Sequence, residues 1–168
     1  MADGAPAPGP AGGFDAEKLK GQLGTPGLIA VGSAAVGVVS CMLPWWSSSG
    51  ATIFGGAVST TTSGFAIWHG NMACLAAAAA AAGAIMIAMG KAGPNEKNFC
   101  FGVMGLGGLV AALALLFILT FSGQSVDLGK IGNVSSGKSI GVYLTVIAGG
   151  GIAYGGFLIT RAKGHLGK

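Results

Sequence analysis

Residues 65–90 read FAIWHGNMACLAAAAAAAGAIMIAMG, a stretch without one Asp, Glu, Lys or Arg. It exceeds the roughly 20 apolar residues that an α-helix needs to cross a hydrocarbon core about 30 Å thick. Inside lipid no water is present to satisfy backbone N–H and C=O groups, and a helix satisfies them within itself. The stretch therefore predicts a transmembrane helix, with Trp68 and His69 at interfacial depth and a run of alanines, Ala76 to Ala82, in its middle.

The same pattern recurs on both sides. Thr25-Pro26 reads as a helix start, Thr at the N-cap and Pro at the first helical position, and the apolar run closes at Pro44. Val38-Val39-Ser40-Cys41 loosely resembles a lipoprotein cleavage box, but the preceding region is long for a signal peptide and the segment reads as a retained span. A third run covers 99–121, with Asn98 as its expected cap, and a fourth covers 139–160. Together the spans at about 26–44, 65–90, 99–121 and 139–160 predict an all-α membrane protein, a four-transmembrane-helix antiparallel bundle. Composition agrees. Only 8% of the 168 residues are charged, against roughly 25% in soluble domains. Mean hydropathy is +0.72.

The connections are polar and short. Residues 1–24 comprise an Ala/Pro/Gly tail followed by FDAEKLKGQL, a short amphipathic segment suited to a membrane surface. Residues 47–64 carry no charge. Thr52–Phe54 and Val58–Thr62 around Gly55-Gly56 predict a β-hairpin in this first outer loop. Residues 122–138 read as a polar loop, and 161–168 as a basic tail. Lys18, Lys20, Lys91, Lys97, Arg161, Lys163 and Lys168 fall on one side of this arrangement, Lys130 and Lys138 on the other. By the positive-inside rule both termini are expected in the cytoplasm, and a bacterial inner membrane is the expected location. The basic residues form no run with interleaved aromatics, so nucleic acid is not an expected partner.

Lipid tails are as apolar as leucine, so helices in a membrane associate by close packing, which small residues permit. The chain has 33 glycines. Gly107 and Gly108 are followed at i+4 by Ala111 and Ala112, and Gly151 and Gly155 make a GxxxG, so these six are the expected helix-packing residues. Trp45, Trp46 and Trp68 are the expected interfacial anchors.

Chemistry-bearing patterns are missing. No ionisable carboxylate or amine lies within a span, and Gly137-Lys138-Ser139, although Gly132 stands upstream at phosphate-loop spacing, sits on a loop between two spans, the wrong kind of segment for a phosphate loop. Cys41, Cys74 and Cys100 show no ligand spacing, so neither a metal nor another cofactor is expected. The layout is similar to that of claudin-like tetraspan proteins in topology alone, because residues 47–64 hold neither a Trp nor a Cys. No junction-forming role carries over.

The sequence thus predicts a non-catalytic structural or accessory subunit of a larger membrane assembly, with the bilayer and other membrane subunits as partners. The alternative is a pore or carrier for neutral solutes, or a pigment- or quinone-contacting subunit, with His69 and Asn71 as ligand contacts.

Overall fold

The computed structural model describes residues 16–51, 56–127 and 133–166. It is mostly helical, with four helices long and apolar enough to span a membrane and a small antiparallel sheet. The helices are α1 (Ala16–Met42), α2 (Trp68–Ala88), α3 (Glu96–Thr120) and α4 (Ile140–Ala162). The strands are β1 (Pro44–Ala51), β2 (Ala57–Ser63), β3 (Gln124–Asp127) and β4 (Asn133–Lys138). The tail at 1–13 and the strand expected at Thr52–Phe54 lie outside the described residues.

The helices form a ring. Helix α1 packs on α2, α2 on α3, α3 on α4 and α4 on α1, with little contact across the α2–α4 diagonal. The sheet joins the C-termini of α1 and α3 to the N-termini of α2 and α4.

Local sequence sets the boundaries. Helix α1 starts ahead of the expected position and kinks at Gly24, whose φ of 58° is left-handed. Pro26 follows, supplying no N–H, so the surface segment and the first span form one bent helix. It stops at Met42 because Pro44 restricts Leu43 and cannot donate. Asn98, expected as the cap of the third span, lies instead inside α3. Gly93 at φ 53° and Pro94 make the turn early, leaving Asn95 at the N-cap.

Small side chains supply much of the interior of the ring, beside Val103, Val110, Val142, Phe117 and Ile152. Helix α2 buries Ala73, Ala77, Ala80 and Ala84, and α1 buries Ala30, Ala34, Gly37 and Cys41, each set spaced by three or four residues. Large side chains point outward, among them Leu75, Ile147 and Leu119, the last 79% exposed. This inverts the pattern of a water-soluble bundle. It suits a solvent in which burying leucine gains little and close backbone approach gains dispersion.

The sheet departs from expectation in two places. Its first strand begins at Pro44, taking in both tryptophans, and the polar loop expected at 122–138 contains two paired strands, β3 and β4. The strand order is β2-β1-β4-β3. Strands β3 and β4 carry weak strand sequence, with Val126 and Val134 their only large apolar residues. Strand β4 forms by pairing with the second edge of β1, with Ser49 opposite Ser135 and Gly50 opposite Val134, and β3 pairs in turn with β4. Gly50 admits that neighbour closely, since a methyl group there would stand 3.0 Å from Val134 Cγ2.

Trp45 sits where sheet and helices meet. In a continuing helix the Ser40 carbonyl would accept from the N–H of residue 44, which here is proline. Trp45 Nε1 donates to that carbonyl instead, at 3.1 Å. The indole is 0% exposed. A methyl group on Gly64 would lie 2.6 Å from its Nε1, and one on Gly141 2.8 Å from its Cδ1. Phe117 of α3 meets the ring edge-on at 5.4 Å. Ser139 N donates to Trp45 O at 2.9 Å, tying the start of α4 to the same point. Trp45→Phe is expected to lower stability in a detergent unfolding titration by about 1–3 kcal/mol, the cost of an orphaned buried acceptor. Trp46→Phe, at a half-buried ring, should cost less.

Candidate functional site

Among the described residues the buried polar side chains are Ser40, His69, Thr145 and Thr160. Thr160 Oγ1 donates to Gly156 O at 2.7 Å within its own helix, a back-bond that satisfies a hydroxyl in apolar surroundings. Ser40 Oγ and Thr145 Oγ1 lie 2.6 Å apart across α1 and α4, with further contacts to Gly37 O and Gly141 O at 2.7 and 2.9 Å. Two hydroxyl protons serve three contacts, so one hydroxyl donates to the other and that one to a carbonyl. Such bonds inside membranes contribute about 0.6 kcal/mol on average.

His69, expected at an outer rim, is only 4% exposed. It stacks on Trp68 at 3.8 Å and meets Phe117 and Phe121 edge-on at 5.9 and 6.1 Å. Its Nδ1 has no hydrogen-bond partner. Asn71 is exposed and donates from Nδ2 to Phe65 O at 2.9 Å, closing the turn before α2. Of the two residues that the ligand-binding alternative relies on, His69 is thus buried and Asn71 exposed. Of the expected anchors, Trp45 is fully buried, Trp46 is half-buried against Phe121, and Trp68 is 59% exposed.

The six expected packing residues divide into two sets. Gly107 lies against Gly149 and Ala153 of α4, and a methyl group there would stand 2.9 Å from Gly149 O. Ala111 receives Gly149 in the same way, with 2.5 Å separating its N from an added methyl. Gly151 meets Ser33, and Gly155 would place a methyl 2.6 Å from Ala30 N. Gly149 and Gly156 are further close-approach positions that the GxxxG search passed over. Gly156 packs on Met104, with 2.7 Å to its N.

Gly108 and Ala112, by contrast, face outward. They join Gly102 and Gly105 on one exposed face of α3, where a methyl group on any of the three glycines meets nothing within 4 Å. Exposed Leu109 and Leu116 project from the same side of the helix. Beside this face runs an apolar groove of roughly 450 Å³ between α2 and α3, lined by Ala79, Ala82, Gly83 and Met86 and by Phe99, Gly102, Val103 and Leu106. At the end of the ring away from the sheet, Lys163 Nζ meets Glu96 Oε1 at 3.1 Å.

No family model, curated protein or solved structure matches this chain. The geometry therefore carries the functional argument alone.

Inward and outward glycines should respond differently to bulk. Gly155→Leu is expected to abolish the folded monomer, since its side chain would overlap the backbone of α1 at Ala30. Gly108→Leu should leave its unfolding midpoint within about 0.5 kcal/mol of the parent. Denaturant titration in micelles reads both.

Proposed function

We propose that this chain is a non-catalytic structural subunit of a membrane assembly, crossing the bilayer as a four-helix antiparallel bundle. The observation that carries this reading is the outward face of α3. Gly102, Gly105, Gly108 and Ala112 offer another helix a smooth surface that nothing inside the protomer uses. Small residues favour lipid-exposed positions poorly on packing grounds, because a lipid chain gains more against bulky, ridged surface than a helix backbone would. A neighbouring helix can approach such a stripe closely enough to recover those contacts.

The remainder of the molecule supports it. Glycine contacts inside the ring hold α1, α3 and α4 together, so the protomer is complete without the outward face. The connections at the α2–α3 turn and after α4 carry Lys91, Lys97, Arg161 and Lys163, which favours a cytoplasmic placement of both termini, most simply in a bacterial inner membrane. The sheet then stands on the opposite side.

Two measurements test this. Gly105→Leu with Gly108→Leu should weaken association in mild detergent about tenfold or more, with the monomer still folded. A parent chain that is monomeric and recovers no other membrane protein from native membranes contradicts the reading. For orientation, a membrane-impermeant maleimide applied to intact cells should label Thr61→Cys and spare Lys91→Cys.

A further inference from the structure

Helices α1 and α2 run antiparallel and approach closely where Gly37 faces Ala77. A methyl group on Gly37 would stand 3.4 Å from Ala77 Cβ. Residues bridged by a disulfide hold their Cβ atoms about 3.5–4.5 Å apart, so backbones this close suit one. One turn nearer the sheet, four residues on along α1 and three back along α2, stand Cys41 and Cys74. Residues spaced by three or four share a helix face, so the two cysteines meet across the same interface. Their thiols are in hydrogen-bond contact, and the Ser40 and Thr145 side chains complete the surroundings of Cys41. Both are free thiols. Cys100 stands apart from them, one turn into α3 at the end of the ring away from the sheet.

The two thiols are not equally enclosed. Cys41 is fully buried, whereas Cys74 is half-buried, and Ala78, one turn further along that face of α2, is exposed. Cys74 thus borders the outer surface of the ring, which acyl chains cover in a bilayer. Exchange with a water-soluble disulfide needs a thiolate, which apolar surroundings disfavour. An oxidant for this pair has to arrive through the lipid and accept protons together with electrons.

We propose that Cys41 and Cys74 are a redox pair that closes to an intramolecular disulfide, with a membrane-soluble quinone as the electron acceptor. The Cys74 sulfur, the accessible one, bonds first to the quinone. The Cys41 sulfur then attacks that of Cys74, and the quinol leaves with the electron pair of the broken bond. Two S–H bonds are lost, one S–S bond forms, and both thiol protons end on the quinol oxygens. The new bond ties α1 to α2 beside the Trp45 junction and leaves the outward face of α3 untouched, so the proposal stands apart from the assembly reading.

The test uses the full-length chain, reduced and reconstituted without oxygen into liposomes, then treated with a short-chain alkyl benzoquinone. Thiols counted after denaturation should fall from three to one, Cys100 being the survivor, with one quinol formed per chain. Cys41→Ser and Cys74→Ser chains should each keep both remaining thiols and form quinol about tenfold or more slowly, because a second thiol then arrives only by collision. Oxidised glutathione in the outer buffer should leave the parent count at three. The proposal is overturned by a parent count that quinone leaves at three, by a disulfide that joins two chains or takes in Cys100, or by a quinone adduct retained on Cys74. Equal oxidation by glutathione overturns the route through the lipid.

Discussion

The architecture turns on one missing backbone donor. Pro44 ends α1 and leaves the Ser40 carbonyl without its helical partner, in a place too buried for water to serve it. The Trp45 indole fills that role, and to do so it must enter the space between the helix ends. Everything nearby follows from its bulk. Gly64 ahead of α2 and Gly141 at the start of α4 have no side chain because the ring occupies that volume, and Phe117 of α3 closes the remaining side. Helices α1, α3 and α4 and the turn ahead of α2 thus converge on one side chain that belongs to none of them. Because Trp45 lies in β1, the sheet is anchored at the same point.

Below this junction the molecule is built for a solvent without water. Alanines and glycines line much of the interior beside Val103, Val110, Val142, Phe117 and Ile152, and leucines and methionines lie toward the outside. Burial of bulky apolar groups would gain little there, whereas backbones that nearly touch gain many weak contacts. Gly107, Gly149, Gly155 and Gly156 mark where α3, α4 and α1 come closest. The few buried hydroxyls answer the same solvent by bonding within their helices or, at Ser40 and Thr145, to each other.

Much of this was legible in the sequence, and the reasons are local. The spans announce themselves through length and absent charge, properties that need no tertiary context. The inner face of α3 was half legible. Gly107 and Gly108 are adjacent and each has an alanine at i+4, yet about 100° of helical rotation separates them, so one packs on α4 and the other faces out. Trp45 and Trp46 were equally indistinguishable, because only the strand with its irregular first pairing sends one inward. The second hairpin was not legible at all. Gln124–Asp127 and Asn133–Lys138 have little strand character of their own; the second depends on the edge of β1, a partner more than seventy residues distant in the chain, and the first on the second. Functional residues were the least legible, since packing surfaces are distinguished by direction and not by residue type.

The most direct test of Trp45 as the closing wedge is fluorescence quenching in a Trp46→Phe, Trp68→Phe background reconstituted into liposomes. A wedge enclosed by protein should be insensitive both to aqueous iodide and to lipids brominated along their acyl chains, while a variant retaining only the exposed Trp68 should be quenched. Strong quenching of Trp45 by brominated lipid would place its indole at the lipid boundary and contradict the junction on which the fold is argued to depend.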